Sequence, residues 1–445
     1  MTITDILRST SRIVGLFLIV VLGATEGFSQ ETFELTLEKA IGLALKHNQV
    51  IHLAEDDLDL TKQQIREAYS PLYPQIEGVV NYTRNIKSPV FFSNIAPEPI
   101  QIGNDNSFLV GVGLQQAIWL GGKLFTARDI AKLAAEGAKE NIVLTKENTI
   151  LDVTRTFYSV LLMQEMLKVT LETLESAKAN FQNIVKLKQE GLASEFDSLS
   201  AGVRVAGLEP ELIQARSNVK TVTNALKFLL NMDLGQPVEV VGELIFTPAK
   251  ILDNETDFSL NNRRELNLLQ IQKEIFVKLK KVETSNYFPS VFAVGNIQNQ
   301  ASSDDFDISD KENATIINAG LTISIPIFNG FLTSAKVQQA QVNINKIDRQ
   351  LDLLTQRIKL EVENSRLKLK EAQERVFAQT QSVQQAEKAL QIAKVRFQNG
   401  LSTQVELNDA ETALARIKLS RLSAVYDYLI AKAEHEKALG LINIR

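Results

Sequence analysis

The chain has 445 residues, 44% of them hydrophobic and 23% charged, with a formal net charge of −5. That length holds two or three ordinary domains or one large one, and the acidic balance leaves no basic footprint for nucleic acid. The absence of cysteine excludes disulfides, thiolate metal sites and a lipidated N-terminal cysteine.

Arg8 and Arg12 precede an apolar run at residues 13–24, IVGLFLIVVLGA, and small or polar residues follow. The run is shorter than the roughly 20 residues a membrane helix requires. Residues 1–29 therefore read as a secretory signal peptide, cleaved near Gly27-Phe28-Ser29. No later stretch holds 18 consecutive apolar residues, so no spanning helix is expected in the mature, exported chain.

Two similar halves follow, read as a first repeat (30–232), a linker or equatorial region (233–260), a second repeat (261–440) and a short tail (441–445). The first opens with an amphipathic helix carrying Leu37, Ala40, Ile41, Ala44 and Leu45 on one face, ended by Pro71 and Pro74. A strand pair is expected within 75–118. Residues 107–114, SFLVGVGL, alternate through Phe108, Val110, Val112 and Leu114, and a less regular partner lies at 75–86. Residues 123–190 then contain no proline and one glycine, Gly137. At 1.5 Å per residue such a helix approaches roughly 100 Å. It breaks at Gly191, and a second helical stretch covers 195–232.

The second repeat begins with a helix at 261–289, stopped by Pro289, and its strand pair lies within 290–327. In TIINAGLTISIPI, residues 315–327, Ile317, Ala319, Leu321, Ile323 and Ile325 point one way and Asn318, Gly320, Thr322 and Ser324 the other. The loop 299–313 is acidic and holds Asp304, Asp305, Asp307 and Asp310. It lacks the glycine and terminal glutamate of a calcium loop, so it reads as a solvated surface loop. Residues 331–399 contain neither glycine nor proline, and Gly400 breaks the run 209 positions after Gly191. In the helix behind it, about 403–439, Leu407, Ala410, Leu414 and Ile417 suggest a coiled-coil-like seam that continues, after a slip, through Leu422, Val425 and Leu429.

Four alternating strands of about ten residues match the length of outer-membrane β-strands. A small soluble sheet is the alternative, but the narrow helix seams leave nothing to cover it. Open sheet edges are not tolerated in lipid, and closed barrels need about eight strands. Four strands per chain therefore demand several chains, and three would supply twelve.

The order helix, strand pair, long helix, glycine break and helix, made twice, resembles the TolC-like outer-membrane efflux proteins over about residues 35–440. The resemblance is carried by LTLEKAIGLALKHN, by the strand-to-helix joints QQAIWLGGK and ISIPIFNG, and by GLSTQVELNDAETALARIKLSRLSAVYDYLIAKAEHEKALG with its weaker copy from Gly191. It implies an α+β membrane protein: a homotrimeric duct with a 12-strand barrel in outer-membrane lipid, four strands per chain, continued by a periplasmic α-helical barrel. It further implies passive export beside a periplasmic adaptor (membrane fusion protein) and an inner-membrane transporter, with no cofactor and no resident metal. The lipid-facing residues would be Ile317, Ala319, Leu321, Ile323 and Ile325. The adaptor would meet the periplasmic tips at Gly191, Leu192, Ala193, Ser194, Gly400, Leu401, Ser402 and Thr403.

At the second tip, Gly400 suits the left-handed residue that ends a helix, and Thr403 with Glu406 spells a capping box. Ser194 and Asp197 form a similar pair. Asp409 lies one turn beyond Glu406, outside the box. The resemblance implies that Glu406 and Asp409 ring the narrow periplasmic entrance and that Asp197 joins interhelix links there. Ser402 and Phe397 stand where the best-known member of the family has a latch arginine and tyrosine, so that latch is not carried over.

An enzyme finds no support in nucleotide loops, zinc spacings or nucleophile elbows. His47 and His52 are five apart on a helix and do not share a face as ligands would. A periplasmic coiled-coil scaffold or adaptor without channel activity accounts for the helices and leaves the strand pairs unexplained. Trp119, beside a strand–helix joint, suits a membrane interface and simple packing equally.

Overall fold

The computed structural model describes residues 33–88, 90–92, 100–101, 104–250, 259–260, 262–305 and 313–442. The expected signal peptide, residues 251–258 of the linker, Asp307, Asp310 and the last three residues of the tail lie outside them.

The two repeats build matching helices. In the first, α1 (Leu37–His47) and α2 (Gln49–Tyr69) precede the sheet, and α3 (Lys123–Gln189) and α4 (Glu195–Leu229) follow it. In the second, α5 (Arg264–Thr284) precedes the sheet, and α6 (Leu332–Gln398) and α7 (Gln404–Ala438) follow it. The pre-sheet helices α2 and α5 have 21 residues each, the long ones 67 each and the returning ones 35 each. A 67-residue helix is about 100 Å long.

The helix expected to run from 35 toward 74 is broken at Asn48. Its backbone there is extended (φ −66°, ψ 127°), and its side chain accepts from the Val50 N–H, so the residue ends α1 and caps α2. The same side chain donates to the Leu229 carbonyl at 2.8 Å, joining the last turn of α4 to the first turn of α2. Arg263 makes the equivalent splice in the second repeat. Its Nη1 donates to the Ala438 carbonyl at 3.1 Å, at the end of α7 and the start of α5. Burial opposes the Arg263 charge, but hydrogen bonds to Glu361 (2.9 Å) and Glu265 (3.1 Å) outweigh it and hold the guanidinium protonated. In each repeat an unbroken long helix thus runs beside a spliced pair.

Helix α3 packs on α2, α4, α5 and α7, while α6 packs on α5 and α7. Sheet-side, the helix order is α2–α3–α5–α6; toward the glycine breaks it is α4–α3–α7–α6. The strip is one helix thick. One core joins Leu266, Ile358, Val362, Ala438 and Leu439 at the second splice, and two others form where the linker crosses the strip. There β1 (Phe33–Leu35) pairs in parallel with β6 (Val238–Val240). Beneath them Ala40, Val153, Phe157, Val160 and Leu226 are buried together. The linker continues over the second hairpin, where Phe246 meets Tyr428 and Phe377 edge-on (4.8 and 5.2 Å) and the Tyr428 hydroxyl donates to the Thr247 carbonyl at 2.6 Å. A fully buried side chain such as Phe157 contributes about 1.5–3 kcal/mol by burial.

The α7 seam differs from its expected spacing. Leu407, Glu411 and Leu414 are buried, then Ala424, Val425, Tyr428, Ala431 and His435. Glu411, not Ala410, occupies the seam position, and His435 is seated by a 2.9 Å contact with Ser365. Polar residues satisfied across the interface fill positions that an apolar pattern cannot reveal.

Four strands form one antiparallel sheet in the order β2 (Gln75–Arg84), β5 (Asn106–Trp119), β7 (Ser290–Ser303), β8 (Asn313–Ser324). Two short strands between β2 and β5, β3 (Val90–Phe91) and β4 (Ile100–Gln101), pair with each other. Strands β5 and β7 exceed the lengths that alternation marks, because a partner on both sides secures their ladders even where Gln115 or Gln298–Gln300 break the pattern, and β7 alone carries β5 on from Gln116. Ile325 lies beyond β8. The ladder ends where Ser324 faces Ser290, the first residue of β7, and Pro326 offers no N–H to extend it.

Candidate functional site

Two regions at opposite ends of the helices carry the features a function must use. The first is the sheet. Residues opposed across an antiparallel ladder share a face, and the register sorts the sheet into two chemistries. One face carries Ile76, Leu114, Gly295 and Ala319 in one row and Gly78, Val112, Ile297 and Ile317 in the next. Val80, Val110, Leu321 and Ile323 extend it. The opposite face carries Glu77, Gly113, Asn296 and Asn318, flanked by Gln75, Gln115 and Gln298 with Val79, Leu109 and Val294 among them, and a trough of about 320 Å³ opens there. Val80 is 81% exposed, Ile317 72% and Leu321 69%, so in the single chain the apolar face is bare. Among the described residues, strands β2 and β8 each pair on one side only. No helix among the described residues is long and apolar enough to cross a membrane.

The second region is the pair of hairpin tips. Gly191 (φ +74°) and Gly400 (φ +70°) are left-handed. Around Gly191, the Leu192 N–H bonds the Leu187 carbonyl (2.8 Å) and the Gly191 N–H bonds Lys188 (3.0 Å). Leu401 to Arg396 and Gly400 to Phe397 repeat both bonds at 2.8 and 3.0 Å. Each helix thus stops in a Schellman motif. Leu192 and Leu401 stand exposed at the outermost positions.

The caps behind the glycines differ. Ser194 and Asp197 form a complete box: Ser194 Oγ accepts from the Asp197 N–H at 3.1 Å, and Asp197 Oδ2 accepts from the Ser194 N–H and hydroxyl at 3.2 and 2.6 Å. The Asp197 carboxylate is thereby engaged locally. In the second tip Thr403 Oγ1 accepts from the Glu406 N–H at 3.3 Å, but the Glu406 carboxylate makes no return bond among the described residues. Glu406 and Asp409 are exposed, one turn apart on α7, and neither forms an ion pair among the described residues.

A link between the hairpins escaped the sequence reading. Glu411 is buried between α3 and α4, where Ser176 Oγ donates to it at 3.3 Å and the Arg204 Nε stands 3.8 Å away. Arg204 Nη1 donates to Thr412 Oγ1 at 2.6 Å, while its Nε, Ser402 Oγ and Gln404 Oε1 have no hydrogen-bond partner among the described residues. Arg204 and Glu411 are 207 residues apart in sequence, so no local pattern joins them. Of the acidic loop, Asp304 accepts from the Asp105 N–H at 3.1 Å and Asp305 accepts from the Ser303 hydroxyl. Both serve loop geometry. Trp119 packs edge-on against Phe288 at 6.3 Å and remains partly exposed.

The family model described as outer membrane efflux protein matches residues 40–232 and 258–441. The chain belongs to this family. Among curated members, the outer membrane protein TolC of Escherichia coli K12 is 23% identical over 94% of this chain and 84% of its own length. The cobalt-zinc-cadmium resistance protein CzcC of Cupriavidus metallidurans is 24% identical over 91% of this chain and 90% of its own. The family fold appears in the outer membrane protein VceC of Vibrio cholerae, with a TM-score of 0.73 at 19% identity, covering 91% of this chain and 96% of that one. The CmeC outer membrane channel of Campylobacter jejuni superposes at 0.75 and 20% identity, covering 91% and 85%. The fold class is that of these channels: an α+β chain with a small sheet and long helices.

Proposed function

We propose that this outer-membrane efflux protein is a passive exit duct, through which substrates delivered from the periplasm or an inner-membrane pump leave the cell. The observation that carries the reading is a four-stranded sheet with a bare apolar face and two unpaired edges, mounted on helices about 100 Å long. In lipid each unsatisfied backbone group costs several kcal/mol, so such edges must close. Three copies place the β8 edge of one beside the β2 edge of the next and form a twelve-strand barrel, apolar face to lipid and polar face to the lumen. The helical strips tile side by side into a barrel that reaches into the periplasm.

The tips then lie at the far end, where a periplasmic adaptor joined to an inner-membrane transporter engages Gly191–Ser194 and Gly400–Thr403. Threefold repetition of the free carboxylates of Glu406 and Asp409 focuses negative potential at the constriction and favours cations. Asp197, engaged by Ser194, serves the cap more than the gate. Relatives named for cobalt-zinc-cadmium resistance, antibiotic efflux and toluene efflux share the family, in keeping with cargo being chosen by the pump.

Outer-membrane fractionation should recover a heat-modifiable trimer. In planar bilayers the trimer should conduct with cation preference, and Glu406→Gln/Asp409→Asn should lower that preference about tenfold or less, as exposed charges in salt permit. Unchanged selectivity would remove the gate assignment. A soluble, non-conducting product would favour a periplasmic scaffold and overturn the duct.

A further inference from the structure

The internal duplication supplies a template for a contact that a single chain cannot make. Within the chain, the joint between β5 and α3 rests on the turn between α5 and β7. A Cβ placed on Gly121 (φ +61°) would lie 2.8 Å from the Ser285 carbonyl oxygen and 3.1 Å from Phe288 Cβ, and Trp119 packs on Phe288. The other repeat holds the same two parts, apart. Gly330 (φ +63°) matches Gly121 at the 209-residue spacing of the tip glycines, yet nothing lies within 4 Å of the Cβ it would carry. Phe328, in the place of Trp119, is 75% exposed. The turn Ser70–Leu72 followed by Tyr73-Pro74 copies Ser285–Tyr287 followed by Phe288-Pro289, with closing bonds of 3.0 Å (Tyr73 N–H to Ser70) and 3.1 Å (Phe288 N–H to Ser285). The open joint lies at the β8 edge of the sheet and the open turn at the β2 edge.

We infer that the seam between copies repeats the internal joint: Gly330 of one copy sits on the Ser70 turn of the next, Phe328 packs on its Tyr73, and β8 pairs with β2 so that Ile323 faces Val80 and Leu321 faces Tyr82. This rests on the closed-barrel reading and names the contact that closes it. The register follows by carrying over Leu114↔Gly295 and Val112↔Ile297 of the β5–β7 ladder. Two features of the second repeat agree independently. The transferred pairs keep all four side chains on the apolar face, whereas a one-residue slip would turn one strand's apolar set into the lumen. Pro326 takes the place of Ala117, where the β5–β7 register shifts, and proline within sheets is tolerated at bulges. A head-to-tail contact between two different patches generates a ring when its rotation closes.

The cysteine-free chain allows a direct test. Ile323→Cys/Val80→Cys should yield covalent dimers and trimers when outer membranes are oxidised, since opposed Cβ atoms lie about 4.5–5.5 Å apart and diagonal ones about 7–8 Å. The shifted pair Ile323→Cys/Gly78→Cys should cross-link about tenfold less, being outside disulfide reach. Gly330→Asn, which tolerates the left-handed backbone, should reduce the trimer fraction on mild-detergent gels, while Gly191→Asn at the tip should not. Equal or better cross-linking of the shifted pair, or cysteine variants that are trimeric like the wild type yet cross-link through neither pair, overturns this seam and leaves the trimer standing. A wild-type chain that is monomeric in the membrane overturns the barrel as well.

Discussion

The two repeats reach one geometry with different chemistry. Asn48 splices the first strip with a neutral amide, and Arg263 splices the second with a buried cation held by two carboxylates. The first strand–helix joint uses Gly121 and Gly122 in consecutive left-handed conformations; the second uses Gly330 and Phe331, the latter at φ +65°. The first tip has a complete capping box and the second half of one. Backbone turns that only certain φ values allow are therefore kept. The side chains that satisfy them have diverged wherever another group of the same hydrogen-bonding sense fits. The second repeat also holds the carboxylates without an ion pair among the described residues and the open joint, the two features on which the proposed entrance and subunit seam rest.

Disturbing the splices should separate the repeats most. Arg263→Met removes the charged donor of the Ala438 carbonyl and leaves the part-exposed carboxylates of Glu361 and Glu265 to water, and should cost about 1.5–3 kcal/mol. Asn48→Ala removes a cap and one carbonyl partner and should cost about 1–2 kcal/mol. Thermal unfolding midpoints in detergent decide it, and equal losses would show that the charge adds nothing to the second splice. The joints come next. Gly121→Ala meets the Ser285 carbonyl as well as left-handed strain and should cost about 2–3 kcal/mol, against about 1 for Gly122→Ala, which has open space. If the two alanines melt alike, the internal joint is looser than its geometry implies, and the seam argued from it weakens. Smallest is the contrast of caps: Ser194→Ala should cost about 1 kcal/mol and Thr403→Ala about half of that. Hydrogen exchange at the tip amides would resolve the difference, and a larger effect at Thr403 would mean that Glu406 closes its box in the assembled state.

Much of this architecture is legible in the sequence. Proline-free runs, the period change at Pro74 and Pro289, and the glycines 209 residues apart reveal the duplicated plan, because helix, strand and left-handed turn each impose a local residue preference. Element ends were less legible. Asn48 breaks an amphipathic pattern that looks continuous, since its reason for doing so is a carbonyl 181 residues away. Strand β5 outlasts its own alternation because its two neighbours hold it, and Ile325 keeps the alternation while having no strand opposite. The tip divides the same way. The glycines and caps follow from spacing, whereas the burial of Glu411 against Arg204 and Ser176 follows from packing between hairpins.

The sequence by itself determined the local conformations, the doubling, and the presence of apolar strands that one chain cannot close, since these depend on side chains within a few residues of each other. Only the tertiary structure decided the order of the strands, which polar groups cross between hairpins, which carboxylates remain free, and which joint is left open at the sheet edge. Those outcomes depend on contacts between residues about two hundred positions apart, where a satisfied hydrogen bond or an occupied van der Waals gap leaves no trace in either segment alone.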